Sequence, residues 1–231
     1  MSKAENHKPP ERGAGDIAHT LARAGIASVP VIGGAAVELF QLVITPPLEK
    51  RREEWMREIG EALGDLEKNQ GVRLEDLRAN DAFVDTVLQA SQIALRNSQE
   101  EKRQALKNAI LHAALPNPPE QSLQQMFLSY IDVFTVWHLR LLSLFHDPQQ
   151  WATKNNHKFT QSMGGSLSDI LSSAFPELGS NRPLYDQIWN DLYSRSLVST
   201  NGLHTMMTAQ GLMARRTTDL GTKFLQFTMS P

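Results

Sequence analysis

Residues 17–44 read IAHTLARAGIASVPVIGGAAVELFQLVI and form the most apolar stretch of the chain. Pro30 and the Gly33-Gly34 pair lie near its middle, and Arg23 and Glu38 enclose an uncharged run of only 14 residues, Ala24 to Val37. A helix that crosses a bilayer needs about 20 predominantly apolar residues. Pro30 lacks an N–H and disfavours helix at Val29 before it. The glycine pair weakens helix further. The pattern therefore predicts two short helices, 17–28 and 34–44, joined by a bend at VPVIGG. One reading buries this pair inside a helical domain, with Val37, Phe40 and Ile44 packed inward and Glu38 held near one end. The sharper reading is a concealed hairpin that enters a membrane after a trigger, hinged at Pro30, Gly33 and Gly34. Arg23 and Glu38 weigh for the first, because charge inside hydrocarbon is costly.

Outward from that stretch the chain turns amphipathic. Thr45 is a capping residue and Pro46 suits a first turn, which predicts a new helix there. Leu48, Trp55, Ile59, Leu63 and Leu66 fall on one helical face, while Lys50/Glu54, Glu53/Arg57 and Arg57/Glu61 pair at i,i+4. Asn69-Gln70-Gly71 ends the helix. Asn80-Asp81 caps another, with Val84, Val87, Leu88, Ser91 and Leu95 as its stripe. Ser98 to Glu101 reads as a capping box before a helix lined by Leu106, Ala109, Ile110 and Ala113. Pro116-Asn-Pro-Pro119 breaks the pattern. Residues 121–145 then carry Leu123, Phe127, Tyr130, Ile131, Phe134, Trp137, Leu141 and Leu144 at helical steps, with a break expected at Phe134-Thr135. Asp147-Pro148 closes this part.

Residues 148–165 are rich in Gln, Asn, Lys, Ser and Gly and read as a linker. Beyond them Ser166 to Asp169 is a capping-box start, and Arg182-Pro183 opens a helix with Leu184, Ile188, Trp189, Leu192 and Tyr193 inward. GLMARRTT, 211–218, reads as a short strand, and Thr218 or Asp219 caps a last helix. The segments Leu192-Tyr-Ser-Arg-Ser-Leu-Val198 and Arg216-Thr-Thr-Asp-Leu-Gly-Thr-Lys-Phe-Leu225 resemble a winged-helix module, in which a helix ending in LV precedes a wing closing on T-x-L-G-x-x-F-L. The resemblance covers about 166–227 and lacks a clear third helix of its own, unless 151–159 supplies it. It implies a docking or DNA-binding module, with Arg182, Arg195, Arg215 and Arg216 as the residues that would meet nucleic acid.

The expected fold class is mainly α. A disordered tail over 1–15 leads to a helical bundle over 16–147, built around the apolar pair. The linker follows, then a small winged-helix-like module over 166–231. A chain of 231 residues with 41% apolar and 21% charged residues can build such cores, and its net charge of −2 advertises neither nucleic acid nor an anionic membrane. From 166 onward, Arg182, Arg195, Arg215, Arg216 and Lys223 stand against Asp169, Glu177, Asp186, Asp191 and Asp219. That balance disfavours DNA, whose affinity comes largely from phosphate neutralisation. The absence of cysteine excludes thiolate chemistry and cysteine zinc sites and suits a reducing cytoplasm. The seven histidines show no H-E-x-x-H spacing, and the chain has no P-loop, no G-x-G-x-x-G and no G-x-S-x-G. His138 beside Trp137 reads as a core histidine, and His146 as a helix-end one. The expectation is a non-enzymatic interaction or effector protein with no cofactor or metal. Its expected partner is protein, with nucleic acid disfavoured and membrane contact conditional on a trigger.

Overall fold

Residues 34–159 and 164–231 are described by the computed structural model of the chain. The fold is mainly α. The chain divides into two compact units, residues 1–50 and 51–231.

Helix α1, Gly34–Gln70, runs through Pro46 and Pro47 without a break. The separate helix expected to start at Thr45 is therefore not present. A proline ring already holds the helical φ, and what it removes is one N–H and one clear carbonyl per residue. Val43, Thr45, Pro47 and Leu48 are exposed, so that turn is open to water, which can serve the carbonyls left without donors. Leu48, expected to face inward, is 42% exposed. Trp55, Ile59 and Leu66 are buried as their spacing predicts. Arg57 pairs with Glu61 at 3.1 Å on the outer face. Gly71, at φ 67°, ends the helix in a conformation that favours glycine.

The unit 51–231 continues with α2 (Leu74–Arg78), α3 (Asp81–Arg96), α4 (Glu100–Ala114), α5 (Gln121–Val133), α6 (Val136–His146) and α7 (Pro148–Lys154). Asn80 caps α3 by accepting from the Phe83 N–H at 3.1 Å. The stripe of α3 is turned from the expected one. Phe83, Thr86, Ala90, Ile93 and Ala94 are buried, whereas Leu88 is 57% exposed. Helix α4 starts from Gln99 without a side-chain cap, so the box at Ser98 is not formed. Its inner face of Leu106, Ala109, Ile110 and Ala113 is buried as expected. The break between α5 and α6 falls at Phe134-Thr135, and Thr135 forms a capping box with His138. Polar ties join the helices: Trp55 Nε1 donates to Ser91 Oγ at 2.9 Å, and Arg103 meets Glu58 at 2.8 Å. Lys102 is buried and donates to the Asp132 carbonyl at 2.9 Å, where a cation suits the end of α5. Burial holds its ammonium below the usual lysine range.

The C-terminal part comprises β1 (Gly164–Gly165), α8 (Leu167–Ala174), α9 (Pro176–Gly179), α10 (Arg182–Ser194), β2 (Met207–Thr208), α11 (Ala209–Leu212) and α12 (Asp219–Thr228). Strands β1 and β2 pair antiparallel, Gly164 opposite Thr208, and Val198 bridges Thr217. The strand expected over 211–218 is not formed. Thr208 Oγ1 accepts from the Gly211 N–H at 3.2 Å and curls the chain into α11. Ser166 and Asp169 do form the expected capping box, and Thr218 caps α12.

The linker expected over 148–165 does not divide the packing. Asp147 caps α7 through the Gln150 N–H at 2.8 Å, Pro148 is buried, and the Trp151 ring meets Phe175 edge-on at 5.3 Å. Phe224 of α12 lies 5.3 Å from Phe127 and 5.9 Å from Phe134, inside the core of α4, α5 and α6. That core is assembled from residues 51–231. Of the apolar stretch 17–44 expected at the centre of a bundle, residues 17–33 lie outside the described residues.

Candidate functional site

The helix of the winged-helix resemblance that would meet a partner is α10. Asn181 caps it through the Leu184 N–H at 3.3 Å, and Pro183 occupies its first turn. Tyr185, Ile188, Trp189 and Leu192 are buried. Trp189 anchors the helix twice. Its Nε1 donates to the Thr200 carbonyl at 2.9 Å, and its ring meets Phe145 edge-on at 5.1 Å. Leu184 and Tyr193, expected inward, are instead 41% and 44% exposed, because Tyr185 takes the inner position of that turn. Pro183, Leu184, Gln187, Asn190, Tyr193 and Ser194 are all exposed and carry no charge.

The charges of α10 are engaged with other residues of the chain. Arg182 pairs with Asp186 at 3.3 Å, and His204 Nε2 meets the other Asp186 oxygen at 2.7 Å. Asp191 accepts from Gln187 Nε2 at 3.0 Å and faces His138 Nε2 at 3.4 Å. Arg195 lies over the rings of Phe134 and Tyr130, at 5.3 and 5.7 Å, and donates to the Asp191 carbonyl. A guanidinium held over two ring faces contributes to packing as well as charge.

Arg215 and Arg216, adjacent in sequence, point to different surroundings. The Arg216 guanidinium donates to the Gly211 carbonyl and to Met207 Sδ, and its Nε is buried without a partner among the described residues. Its backbone N–H donates to the Phe145 carbonyl at 2.8 Å, so it braces the loop against α6. Arg215 is exposed in an open groove of about 750 Å³ that it shares with His146, Asp147, Gln149 and Gln210. Asp147, whose carboxylate caps α7, lines the same groove. The four candidate nucleic-acid residues are thus not brought together. Arg182 and Arg195 bracket a helix whose rise separates them by about 20 Å. Of the candidate hairpin residues, Pro30 and Gly33 lie outside the described residues. Gly34 is the first residue of α1, and Val37, Glu38 and Phe40 follow within it.

The sequence reading missed the link from His138 to Asp191. His138 is buried, stacks on Phe134 at 4.5 Å and 6°, and accepts at Nδ1 from the Thr135 N–H at 3.1 Å. Burial holds it below the ordinary imidazole value, against the opposing pull of Asp191. The capping position of Thr135 was the available signal, since a residue at N3 of a cap is placed to bond back. Among the described residues no three His, Asp or Glu side chains form a group able to hold a metal. Comparison of the chain with protein-family models, with curated proteins and with solved structures finds no match.

Proposed function

We propose that this chain is a non-enzymatic interaction protein of the cytoplasm, and that its winged-helix-like C-terminal segment docks another protein through α10. The outward face of that helix carries the reading: beyond Arg182, which pairs with Asp186, its exposed residues are uncharged. Docking faces are depleted in charge at their centre, with aromatic residues enriched, and Tyr193 and Leu184 supply such contacts. A duplex-binding helix needs cations facing outward. Here Arg182 is paired, Arg195 is spent on two rings and Arg216 braces a loop.

The test sets the two partners against each other. At about 0.15 M salt no appreciable duplex binding is expected from the full chain, because so few phosphates could be neutralised. A photo-crosslinking residue at Asn190 is expected to give one discrete protein adduct in cells, lost on Leu184→Glu. A tight, salt-sensitive duplex complex abolished by Arg215→Ala with Arg216→Ala would replace this reading with the DNA-binding one.

A membrane-active variant of the same proposal rests on residues 17–44. No single described helix is long and apolar enough to cross a membrane. Arg23 and Glu38 bound an uncharged run of only 14 residues there, too short to span, so resting protein is expected to leave dye-loaded anionic and neutral liposomes intact. Leakage that vanishes in a folded Val37→Asp protein would promote the hairpin reading, since a carboxylate in hydrocarbon costs about 2.5–3.5 kcal/mol on insertion scales.

A further inference from the structure

A groove of about 530 Å³ opens where α4, α6, α7 and α12 meet, and α10 takes no part in it. Small-molecule sites span about 300–1,000 Å³ and combine an apolar lining with a few polar groups. This groove has both. Trp151 and Phe175, edge-on to each other at 5.3 Å, line it together with Leu139 and Leu225. Ala105 on α4 and Ser143 on α6 are short side chains on its surface, which leaves the space unfilled.

Three charged side chains reach the groove, and two of them cancel. Arg140 Nε donates to the Glu101 carboxylate at 2.9 Å, and the same guanidinium lies 4.8 Å from the centre of the Trp137 ring. Glu177 is near enough to act on Arg140 but does not line the groove. The third is Lys154, the last residue of α7. It is exposed and makes no ion pair among the described residues. We propose that this groove binds a small aromatic carboxylate, with its ring against Trp151 and Phe175 and its carboxylate at Lys154.

The chemistry of the lining selects this class. Aromatic rings prefer edge-on or offset neighbours, and a third ring extends the pair already present. A cationic ligand would meet the Lys154 ammonium and find the Glu101 carboxylate already engaged by Arg140. An ion pair at an exposed ammonium is worth up to about fivefold in affinity, so apolar contact supplies most of the binding and charge supplies the preference for an acid. The groove is separate from the outward face of α10, and a ligand there does not depend on protein docking at that helix.

Titration of the full chain with 2-naphthoate tests this. Calorimetry is expected to show saturable binding at one site. NMR is expected to place the largest shifts on Ala105, Ser143, Leu225 and the Trp151 indole. The uncharged 2-naphthalenemethanol is expected to bind about three- to fivefold more weakly. Octanoate, which keeps the charge and lacks the ring, is expected to bind at least about threefold more weakly. Lys154→Glu removes an attraction and adds a repulsion, so it is expected to weaken 2-naphthoate about tenfold and the uncharged probe less than about twofold. Lys154→Arg is expected to hold the affinity within about twofold. Lys68→Glu makes the same charge change on an exposed residue in the last turn of α1 and is expected to alter neither probe. Ser143→Trp, which would occupy the groove, is expected to abolish both if its urea midpoint shows it folded, and if it does not fold the Lys154 variants decide alone. No saturable binding, shifts centred on α10 or on the groove at Arg215, octanoate bound as tightly as 2-naphthoate, or an equal loss for both naphthyl probes in Lys154→Glu would each overturn the site.

Discussion

Gly221→Val is expected to abolish the fold of residues 51–231. Gly221 is the third residue of α12, and a Cβ there would fall inside contact distance of the Leu197 carbonyl oxygen and 3.0 Å from its carbon. Both sides of that clash are backbone, so no side chain can rotate away. Leu197 is fully buried and is held from several directions. Its carbonyl accepts the Thr218 N–H at 3.1 Å, and its own N–H donates to the Leu192 carbonyl at 3.0 Å. Backing α12 away from Leu197 would also strain its cap, in which Thr218 Oγ1 accepts the Gly221 N–H at 3.0 Å. Overpacking of a side chain commonly costs about 1–3 kcal/mol, and a collision between two fixed backbones belongs at or beyond the top of that range. Against a total stability of about 5–15 kcal/mol, adding the loss of a cap leaves little folded protein. Circular dichroism and urea titration of the purified variant would check this, with no cooperative transition expected. Gly221→Ala is the graded form. If it unfolds within about 1 kcal/mol of the wild type, the two backbones do not approach as closely as described.

The same glycine shows what could be read from residues alone. The run Thr217-Thr-Asp-Leu-Gly-Thr-Lys-Phe-Leu225 pointed to a cap and a short helix, because Thr218 and the spacing of Phe224 and Leu225 are local signals. That Gly221 touches Leu197 is a fact about two segments, and no pattern within either reports it. The caps at Asn80, Thr135, Ser166 and Thr218 were legible for the same local reason, as was the buried face of α4. The stripe of α3 was placed on Val84 and Leu88, where the burial of Phe83, Thr86 and Ala90 turns it otherwise. Hydrophobic spacing there allowed both faces, and Thr86 is buried through a bond to Gln124 Oε1 at 2.9 Å, a choice made by α5. Asp147-Pro148 reads locally as an end, yet a capping carboxylate followed by proline equally starts a helix, and α7 uses it so. In the candidate site the arginines were visible as charges, whereas the partners that engage Arg195 and Arg216 come from distant segments.

Phe224→Ala is expected to destabilise the bundle and the C-terminal part together, in one transition. Its ring is fully buried and meets three others, Phe127 at 5.3 Å, Phe134 at 5.9 Å and Tyr130 at 6.0 Å. Two of these residues lie on α5 and one at its C-cap, so the side chain from the end of the sequence fills space between helices formed in its middle. Removing a buried phenylalanine costs about 3–5 kcal/mol, part transfer and part residual cavity. The edge-on geometry of the pairs with Phe127 and Phe134 is the favourable one for aromatic rings, worth about 0.5–1.5 kcal/mol each beyond area. Asn108 on α4 adds a polar tie to the same end of α12, donating to the Thr228 carbonyl at 2.8 Å. The decisive measurement follows two regions at once during urea unfolding, with exchange or fluorescence reporting on α3 and α4 and on α10 separately. Were 148–165 a tether between independent domains, Phe224→Ala would melt 166–231 and leave α3 and α4 at their original midpoint. With the shared core, both midpoints are expected to fall by the same amount with an unchanged slope, because the slope follows the surface exposed on unfolding and the cooperative unit is the same. Separate midpoints in the variant would restore the boundary at 148–165 and confine the aromatic cluster to a docking contact between two domains.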